Sequence, residues 1–381
     1  MTANRVFVIV TSSFPIRDDG SEAAGSFVAD LVDELAKHIN VRVVAPGPIA
    51  AREQWSRRVE IVRYSAPAKP LSTLKPWRPA DLLWIVRVLR GGLFAARDAI
   101  TDDSMHVLAF WGLPCGEWAR RAARRRGVDY SVWMLGSDVW SMGRLPILKG
   151  LLARVMRQAT HAYADGYQLA KSAEFIGKVS VDFLPSTRHI SNAECLPPRT
   201  SAPYRLLFLG RWHPNKGVDL LLDALTMLDD EDWLKIEHFE LQGGGPLEQV
   251  IRARVAVLQG AGRPITAGCF LAKAQAEAAI MRADWVVIPS RIESIPLIFS
   301  DAMKLDRPVV ATPVGDLPKL LQTYKCGVLA EAANAGAIAK ALKFALRGNV
   351  LDYLSSIRQA AGAFSIPAIA EQLVRACGRV D

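Results

Sequence analysis

The chain has 381 residues and a formal net charge of +9; half of its residues are hydrophobic and 22% are charged. This length exceeds the about 100 to 200 residues of a single domain and favours two domains, while the composition excludes a mainly disordered chain. No stretch offers the roughly 18 apolar residues of a membrane span, the first apolar run is shorter than a signal-peptide core, and the five cysteines lack CxxC spacing. We therefore expect a globular cytoplasmic protein with reduced thiols.

The positive charge is concentrated in the first half of the sequence. Residues 1–200 contain 27 Lys and Arg against 19 Asp and Glu, whereas residues 201–381 contain 20 against 19. The first half should therefore carry a basic face. Such a face could bind nucleic acid, anionic lipid headgroups or a phosphorylated substrate, because all three respond to positive potential, and charge alone does not choose among them.

The first half alternates short apolar runs with helical patterns. Residues 5–10 predict a buried strand, residues 27–35 an amphipathic helix and residues 41–45 a second strand, which together form a βαβ unit. Further elements are predicted as strands at residues 105–110, 130–135 and 162–164, and as helices at residues 116–126 and 148–158. This alternation predicts a parallel doubly wound sheet.

A turn-rich segment with four prolines separates the two halves, and we expect the domain linker there, at residues 185–203. The second half then repeats the alternation. Its strands are predicted near residues 206–209, 236–241, 265–270, 285–288 and 308–311, followed by helices at residues 335–346, 350–361 and 367–377. We therefore expect a second doubly wound α/β domain.

The first candidate site is residues 210–217, with the sequence GRWHPNKG, between a predicted strand and a predicted helix. Glycines allow backbone amides to approach a phosphate, a helix N-terminus presents unpaired N–H groups, and Arg211 and Lys216 add positive charge. The loop therefore suits a phosphate group. A surface loop with two solvated cations would contain the same residues, so the motif alone leaves both interpretations open.

The second candidate site is residues 289–297, PSRIESIPL, with Glu293 in the loop and Asp301 about two turns into the helix that follows. Ionised carboxylates at strand ends can accept hydrogen bonds from the diol of a sugar or ribose, and they can equally compensate a helix macrodipole. Residues 242–246 and 312–318 form two similar loops. All four loops follow strands of one predicted sheet, and such loops meet at the crevice where open α/β sheets bind ligands.

Several ordered motifs of the second half resemble the C-terminal domain of family 4 retaining glycosyltransferases. They are GRWHPNKG, GGGP, ADWVVIPSRIESIPLIFSDAM, RPVVATPVGDLP and KCGVL, and both their order and their spacing match. The first half resembles that family more loosely, through SSFP at residues 12–15, GSF beginning at Gly25, and LGSD ending at Asp138. The resemblance therefore covers nearly the whole chain.

The resemblance implies the GT-B fold, an α/β architecture in which two Rossmann-like doubly wound parallel-sheet domains face a central cleft. Residues 1–190 would bind the acceptor, residues 203–362 would bind the nucleotide sugar, and a C-terminal helix at about residues 363–381 would pack back on the first domain. The implied reaction transfers a hexose-type sugar from a nucleotide diphosphate sugar to a glycan, lipid-linked or small-molecule acceptor. It would retain the anomeric configuration and use neither a metal nor a separate cofactor.

The resemblance also implies roles for individual residues. Arg211 and Lys216 would stabilise the departing diphosphate, and Glu293 would act beside the donor sugar hydroxyls as a third catalytic residue. Asp301 would bind the ribose, and Gly25 and Asp138 would contact the acceptor or the sugar. The complete implied donor-binding set is Gly210, Arg211, Lys216, Gly243, Glu293, Ser294, Ile295, Pro296, Leu297 and Asp301.

Two positions depart from the family pattern. Asp301 stands where Glu is usual, which shortens the side chain by one methylene but keeps a carboxylate. Leu135 stands where many relatives have a His just before the GxD element, so no catalytic His is carried over to this chain. Asp138 also fits another role, because an isolated Asp after Gly-Ser is typical of a turn or a helix cap.

Two further patterns lie outside these motifs. Residues 230–232, DED, spell the metal-binding DxD motif of another glycosyltransferase fold, but they lie in an acidic connection and predict a solvated loop, so we predict no metal site. The arginines between residues 120 and 126 and the basic aromatic segment at residues 75–97 are typical of proteins that bind an anionic membrane surface or a lipid-linked acceptor. This interpretation places the protein peripherally on the inner face of the membrane. An ordinary cationic outer face would show the same pattern.

Other classes of protein are distinguishable from a transferase. A nucleotide-sugar epimerase of similar fold would release a free sugar and need no acceptor. A non-catalytic basic protein that binds nucleic acid would need base-stacking aromatics or a recognition motif, and the sequence has neither. An NAD enzyme is disfavoured because GxGxxG follows the first strand of neither domain.

Overall fold

The computed structural model describes residues 5–17, 25–67, 71, 74–191 and 197–377. The chain divides into two compact units. The first consists of Met1–Ser186 with Ile366–Asp381, and the second is Thr187–Ser365. The C-terminal segment therefore belongs to the first unit although it follows the second in sequence.

The first unit is built on an eight-stranded sheet in the part of the chain that the structure describes. The strand order is β3-β4-β2-β1-β5-β6-β7-β8, and neighbours are parallel except for β3, which runs antiparallel to β4. The strands are β1 Val6–Val10, β2 Asn40–Gly47, β3 Ala51–Ser56, β4 Val59–Ser65, β5 Ser104–Phe110, β6 Tyr130–Met134, β7 His161–Ala164 and β8 Asp182–Phe183.

Helices cover both faces of this sheet. Those before the second unit are α1 Ser26–Leu35, α2 Pro79–Ala99, α3 Glu117–Arg126, α4 Ser137–Trp140, α5 Pro146–Gln158 and α6 Tyr167–Gly177. Strand β1 has apolar side chains on both of its faces because successive side chains of a strand point in opposite directions. Val8 packs into a core with α2, α3, α5 and α6, whereas Ile9 packs into a separate core with α1.

The second unit has a six-stranded sheet within the described residues, all parallel, in the order β11-β10-β9-β12-β13-β14. Its strands are β9 Tyr204–Leu209, β10 Ile236–Gln242, β11 Ile265–Ala267, β12 Trp285–Ile288, β13 Val309–Ala311 and β14 Gly327–Leu329. Its helices are α7 Val218–Leu225, α8 Asp230–Trp233, α9 Glu248–Gly260, α10 Lys273–Arg282, α11 Leu297–Lys304, α12 Leu317–Tyr324, α13 Ala335–Arg347 and α14 Leu354–Gly362. The last helix, α15 Ile366–Cys377, packs against α1 in the first unit through Ile369 and Leu373.

The first residues of the predicted linker are hydrogen-bonded to the second unit. The boundary between the units falls after Ser186, and Thr187 and Arg188 are bound to the second unit. The Lys304 ammonium donates hydrogen bonds to the Thr187 hydroxyl at 2.5 Å and to the Arg188 carbonyl at 2.6 Å. Residues 192–196 of the predicted linker lie outside the described residues.

The prediction of a solvated loop at residues 230–232 is wrong. These residues form the first turn of α8, where the Asp229 carboxylate accepts a hydrogen bond from the Asp232 amide at 2.9 Å and the Asp232 carboxylate accepts one from the Asp229 amide at 3.3 Å. Asp232 is buried, and its carboxylate lies 2.6 Å from the Lys343 ammonium. Asp229 and Asp232 therefore form a reciprocal helix cap, and the DED sequence is the first turn of α8.

Candidate active site

The four predicted loops follow parallel strands of the second sheet at their carboxyl ends. The strands β9, β10, β12 and β13 are neighbours or near neighbours in that sheet, so the loops that leave them share one edge. Two close approaches between these loops require glycine. A Cβ at Gly217 would lie 1.8 Å from the Pro289 carbonyl oxygen, and a Cβ at Gly243 would lie 1.9 Å from the Gly210 carbonyl oxygen.

Backbone hydrogen bonds hold the loop at residues 210–217 in place, and its cationic side chains remain accessible to solvent. The buried Trp212 donates its backbone N–H to the Gly244 carbonyl at 2.8 Å, and its own carbonyl accepts from Leu247 at 3.0 Å. Arg211 is exposed, and within the described residues it forms no ion pair. A hydrogen-bonded backbone with an exposed guanidinium at the sheet edge is suited to binding an anion.

Lys216 and Glu293 are brought together although they are far apart in sequence. The Lys216 ammonium donates a hydrogen bond to one oxygen of the Glu293 carboxylate, and the Ser290 hydroxyl donates to the same oxygen at 3.0 Å. The Lys216 side chain is 34% exposed and that of Glu293 is 12% exposed. The pair is therefore partly buried, yet a solvent-borne ligand can reach it.

Arg291 joins the two loops and was not among the predicted site residues. Its guanidinium donates to both oxygens of Asp219 at 2.8 and 2.7 Å and to the Pro214 carbonyl at 2.6 Å, and its amide donates to the Asn215 carbonyl at 2.8 Å. Burial opposes ionisation of Asp219, but the hydrogen bonds and charge of Arg291 outweigh burial and hold the pKa of Asp219 below its usual value. No local pattern links two residues so distant in sequence, so this contact could not be predicted.

A third loop supports the segment that follows Glu293. A Cβ at Gly315 would lie 2.4 Å from the Ser294 carbonyl oxygen, and the Asp316 amide donates to that oxygen at 3.1 Å. Ile295 and Pro296 are buried, and α11 begins at Leu297. Among the predicted donor-binding residues 294–297, Pro296 has no N–H and contributes no amide donor.

Asp301 is fully buried within the second unit. One carboxylate oxygen pairs with the Arg188 guanidinium, and the other has no hydrogen-bond partner among the described residues. Burial raises the pKa of Asp301, against the opposing influence of Arg188. The predicted ribose ligand is therefore held by an arginine of the predicted linker, a partner that the sequence did not indicate.

Asp138 serves the backbone of the first unit. It is fully buried, and its carboxylate accepts hydrogen bonds from the amides of Gly112 at 2.6 Å, Leu135 at 3.3 Å, Gly136 at 3.1 Å and Val139 at 3.1 Å. Burial raises its pKa, against the pull of these N–H groups. These contacts correspond to the capping role, and the contact of Asp138 with acceptor or sugar stays a prediction.

Gly25 has a structural requirement of its own. It precedes α1 in the left-handed conformation, with φ of 76°, and a Cβ there would lie 2.7 Å from the Ser13 carbonyl oxygen. A side chain would therefore be strained at this position. Leu135, at the position where relatives have His, is partly exposed after β6.

Neither a metal cluster nor a membrane-spanning helix occurs in the described residues. No group of three or more His, Cys, Asp or Glu residues in the described ranges is arranged to hold a metal ion. Among the described helices, none combines the length and the apolar character that crossing a bilayer requires.

Comparison with known proteins relates the second unit to a family of transferases. Residues 203–347 match the family described as glycosyl transferases group 1. The chain is 25% identical over 320 residues to phosphatidyl-myo-inositol mannosyltransferase of Mycobacterium leprae, covering 79% of this chain and 71% of that protein. These matches support a GT4-like glycosyltransferase, which confirms the predicted resemblance.

Solved structures support the fold. Sucrose-phosphate synthase from Thermosynechococcus elongatus aligns with a TM-score of 0.73 at 16% identity, covering 97% of this chain and 98% of that one. Anabaena HepE in complex with UDP-glucose aligns with a TM-score of 0.65 at 13% identity, with the same coverage of both chains. Together with the two parallel-sheet units, these alignments confirm the predicted GT-B fold.

Proposed function

We propose that the protein transfers a hexose from a nucleoside diphosphate sugar to a glycan, lipid-linked or small-molecule acceptor, with retention of anomeric configuration. The observation that carries this proposal is the pairing of Lys216 with Glu293 at the edge of the second sheet, on a loop that also contains the exposed Arg211. The UDP-glucose of the HepE complex and the mannosyl transfer in the name of the mycobacterial relative support a hexose donor.

The diphosphate takes over Lys216 when the donor binds. A diphosphate is a stronger partner for an ammonium than one carboxylate, and a second cation, Arg211, stands on the same loop. Glu293 is then released to accept hydrogen bonds from the hydroxyls of the donor sugar. Lys216 therefore has an anionic partner in both states, Glu293 in the free protein and the diphosphate when the donor is bound.

The two cations supply the electrostatic part of catalysis. As the glycosidic bond breaks, negative charge grows on the diphosphate, and preorganised donors around it lower the barrier. Arg211 and Lys216 provide positive charge at the leaving group, the task that a divalent cation performs in transferases with a DxD motif. We propose accordingly that the reaction is independent of metal ions and needs no cofactor.

The acceptor belongs to the first unit, residues 1–190 in the sequence-based division, and the donor to the second. The excess of Lys and Arg in the first half suits an acceptor that carries phosphate or lies at an anionic membrane, and the phosphatidyl-myo-inositol in the name of the mycobacterial relative supports this. We propose that the protein works in the cytoplasm, peripherally at the membrane, in the synthesis of a polysaccharide or glycolipid.

A donor screen tests this function. Nucleoside diphosphate sugars, beginning with UDP-glucose, are tested for thermal stabilisation, since a ligand at 100 times its dissociation constant adds about 2.7 kcal/mol. Release of nucleoside diphosphate is then measured with and without sugar, inositol phosphate and polyprenyl phosphate acceptors, and NMR of the product assigns its anomeric configuration.

The outcomes separate the candidates. Release that depends on acceptor, with the donor configuration kept in the product, supports a retaining transferase. Free sugar released without acceptor indicates an epimerase. Failure of every donor to stabilise the protein, together with no release, contradicts the proposed function.

A further inference from the structure

Helix α2 has an apolar outer face. Leu83 is 68% exposed, Phe94 is 63% exposed and Val86 is 39% exposed. Together with Arg87 and Arg90 these residues form what we call the α2 outer stripe, because their spacing places them along one side of a helix. A helix on the surface of a globular protein normally has polar residues on this side.

The opposite face of α2 is already used. Val88, Gly92, Ala95, Ala96 and Ala99 are buried against the first sheet, and a Cβ at Gly92 would lie 2.4 Å from the Trp118 ring. The outer stripe is therefore distinct from the face that packs into the core. Apolar residues on both sides of one helix indicate a second apolar environment outside the unit.

Nothing in the described part of the chain covers the stripe. On one side, Arg87 and Phe94 border a groove of about 620 Å³ between α2 and the β3–β4 hairpin, which leaves that flank open. Trp77, just before the helix, is 75% exposed and adds a large aromatic side chain near its N-terminal end. Aromatic and aliphatic residues flanked by cations are typical of helices that lie in a membrane interface.

The charges of α2 match an anionic surface. Arg87 and Arg90 form no ion pair with a carboxylate in the ranges that the structure describes. Both acids of the helix are engaged by the protein itself, since the Asp81 carboxylate accepts from the Lys75 amide at 3.0 Å and the Asp98 carboxylate pairs with Arg52 at 2.6 Å. The stripe therefore presents positive charge and apolar surface, and Asp98, which lies one turn beyond Phe94 on the same side of the helix, is paired with Arg52.

The charge of the whole helical layer has the same sign. Helices α2, α3, α5 and α6 pack on one face of the first sheet and contain 12 Lys and Arg against 4 Asp and Glu. Helices α1 and α15 pack on the other face and contain 1 against 4. The basic excess is thus placed on one side of the first sheet, which is the side that carries the outer stripe.

We infer that the α2 outer stripe docks the first unit onto an anionic lipid bilayer, with Leu83, Val86 and Phe94 in the interface and Arg87 and Arg90 at the headgroups. The inference deepens the proposed membrane location and names the surface responsible. A second copy of the chain fits less well, because a two-fold interface centred here would bring the arginines of both copies together.

Vesicle co-sedimentation in the absence of donor tests the inference. We expect the wild-type protein to bind vesicles of 30% phosphatidylglycerol in phosphatidylcholine at low salt, to bind pure phosphatidylcholine much less, and to dissociate at high salt. Loss of two cations in Arg87→Gln/Arg90→Gln should lower the partition coefficient at least tenfold, since each cation near an anionic surface is worth about fivefold. Leu83→Ser/Phe94→Ser should lower it by a similar factor and also weaken the binding that remains at high salt.

Matched controls sit in the second unit. Lys340→Gln/Arg347→Gln removes the same charge from exposed positions of α13, and Leu234→Ser/Val257→Ser removes two exposed apolar side chains. Both should bind vesicles like the wild type. Thermal stabilisation by UDP, measured on every variant, checks folding and tests the donor site independently of the membrane.

Three outcomes overturn the inference. One is no binding of wild-type protein to anionic vesicles at low salt. Another is equal loss of binding in the stripe variants and their controls, which would indicate diffuse charge attraction. The third is a dimer in analytical ultracentrifugation that dissociates in Leu83→Ser/Phe94→Ser, which would assign the stripe to a second copy.

Discussion

The two units use the same local construction for opposite purposes. In the first unit, Asp138 follows a strand and a glycine, is fully buried, and accepts hydrogen bonds from three N–H groups of its own loop region and from the Gly112 amide after β5. In the second, Glu293 follows a strand in a similar loop, but its partners are an ammonium and a hydroxyl, and it keeps some exposure. A carboxylate that follows a strand therefore stabilises the backbone when amides surround it. It is a candidate reactive group when its partner is a cation that a ligand can displace.

The largest expected effect is on turnover in the second unit. Lys216→Ala and Arg211→Ala should each lower kcat by about 100 to 1,000 fold, since one lost charge-assisted donor to a developing anion is worth about 3 to 4 kcal/mol. Arg211 is exposed and Lys216 is 34% exposed in its pair with Glu293, so each change should alter the free energy of unfolding by less than about 1 kcal/mol. Steady-state kinetics on purified variants, with urea titrations as the folding control, provide the measurement; wild-type kcat in both would end their assignment to the leaving group.

Asp138 should show the opposite behaviour. Asp138→Ala leaves several buried N–H groups without an acceptor and should destabilise the protein by about 3 kcal/mol or more. Glu293→Ala, its counterpart in the comparison, should change stability by less than about 1 kcal/mol. Urea unfolding of the two variants side by side measures the contrast, and equal destabilisation would remove the distinction between a carboxylate that stabilises the backbone and a reactive group.

The Arg291 contact should be worth an intermediate amount. Arg291→Ala breaks three side-chain hydrogen bonds that hold the two donor loops together. We therefore expect kcat/KM to fall roughly 30 fold, which corresponds to about 2 kcal/mol. A double-mutant cycle with Asp219→Ala should give strong coupling, because each single change already separates the pair. Arg291→Lys should recover part of the loss. Additive effects with no recovery would show that Arg291 does not position the loops.

The smallest expected effects separate Asp301 from Glu293. Asp301→Asn should weaken binding of UDP about tenfold, near 1.4 kcal/mol, with little further effect on kcat. Glu293→Gln should lower turnover and leave UDP binding at least as tight as in the wild type, since the carboxylate competes with the diphosphate for Lys216 in the free protein. Calorimetric titration with UDP distinguishes them, with Arg188→Ala as the variant that removes the partner of Asp301. Weaker UDP binding in Glu293→Gln alone would reverse the two roles.

Much of this protein could be predicted from the sequence by itself. Apolar runs such as VFVIV alternate with amphipathic helical patterns, and this alternation leads to parallel sheets because only helices on both faces can bury such strands. The glycine-bounded loop with Arg211 and Lys216, and the loop with Glu293, were also predictable, because turn glycines and strand-end carboxylates are local signals. Strand β3 was missed because its side chains are mostly exposed and lack apolar alternation.

Only the tertiary structure decided which partner each charged group has. Lys216 with Glu293, Arg291 with Asp219 and Arg188 with Asp301 are pairs of residues that are distant in sequence. Asp138 and Glu293 both follow a strand, and they differ because backbone amides surround one carboxylate and an ammonium pairs with the other. The same holds for the basic excess, whose position on one face of the first sheet depends on which helices pack there. Hydrophobic periodicity is a property of adjacent residues, whereas burial and pairing are properties of the folded chain, which brings distant residues into contact.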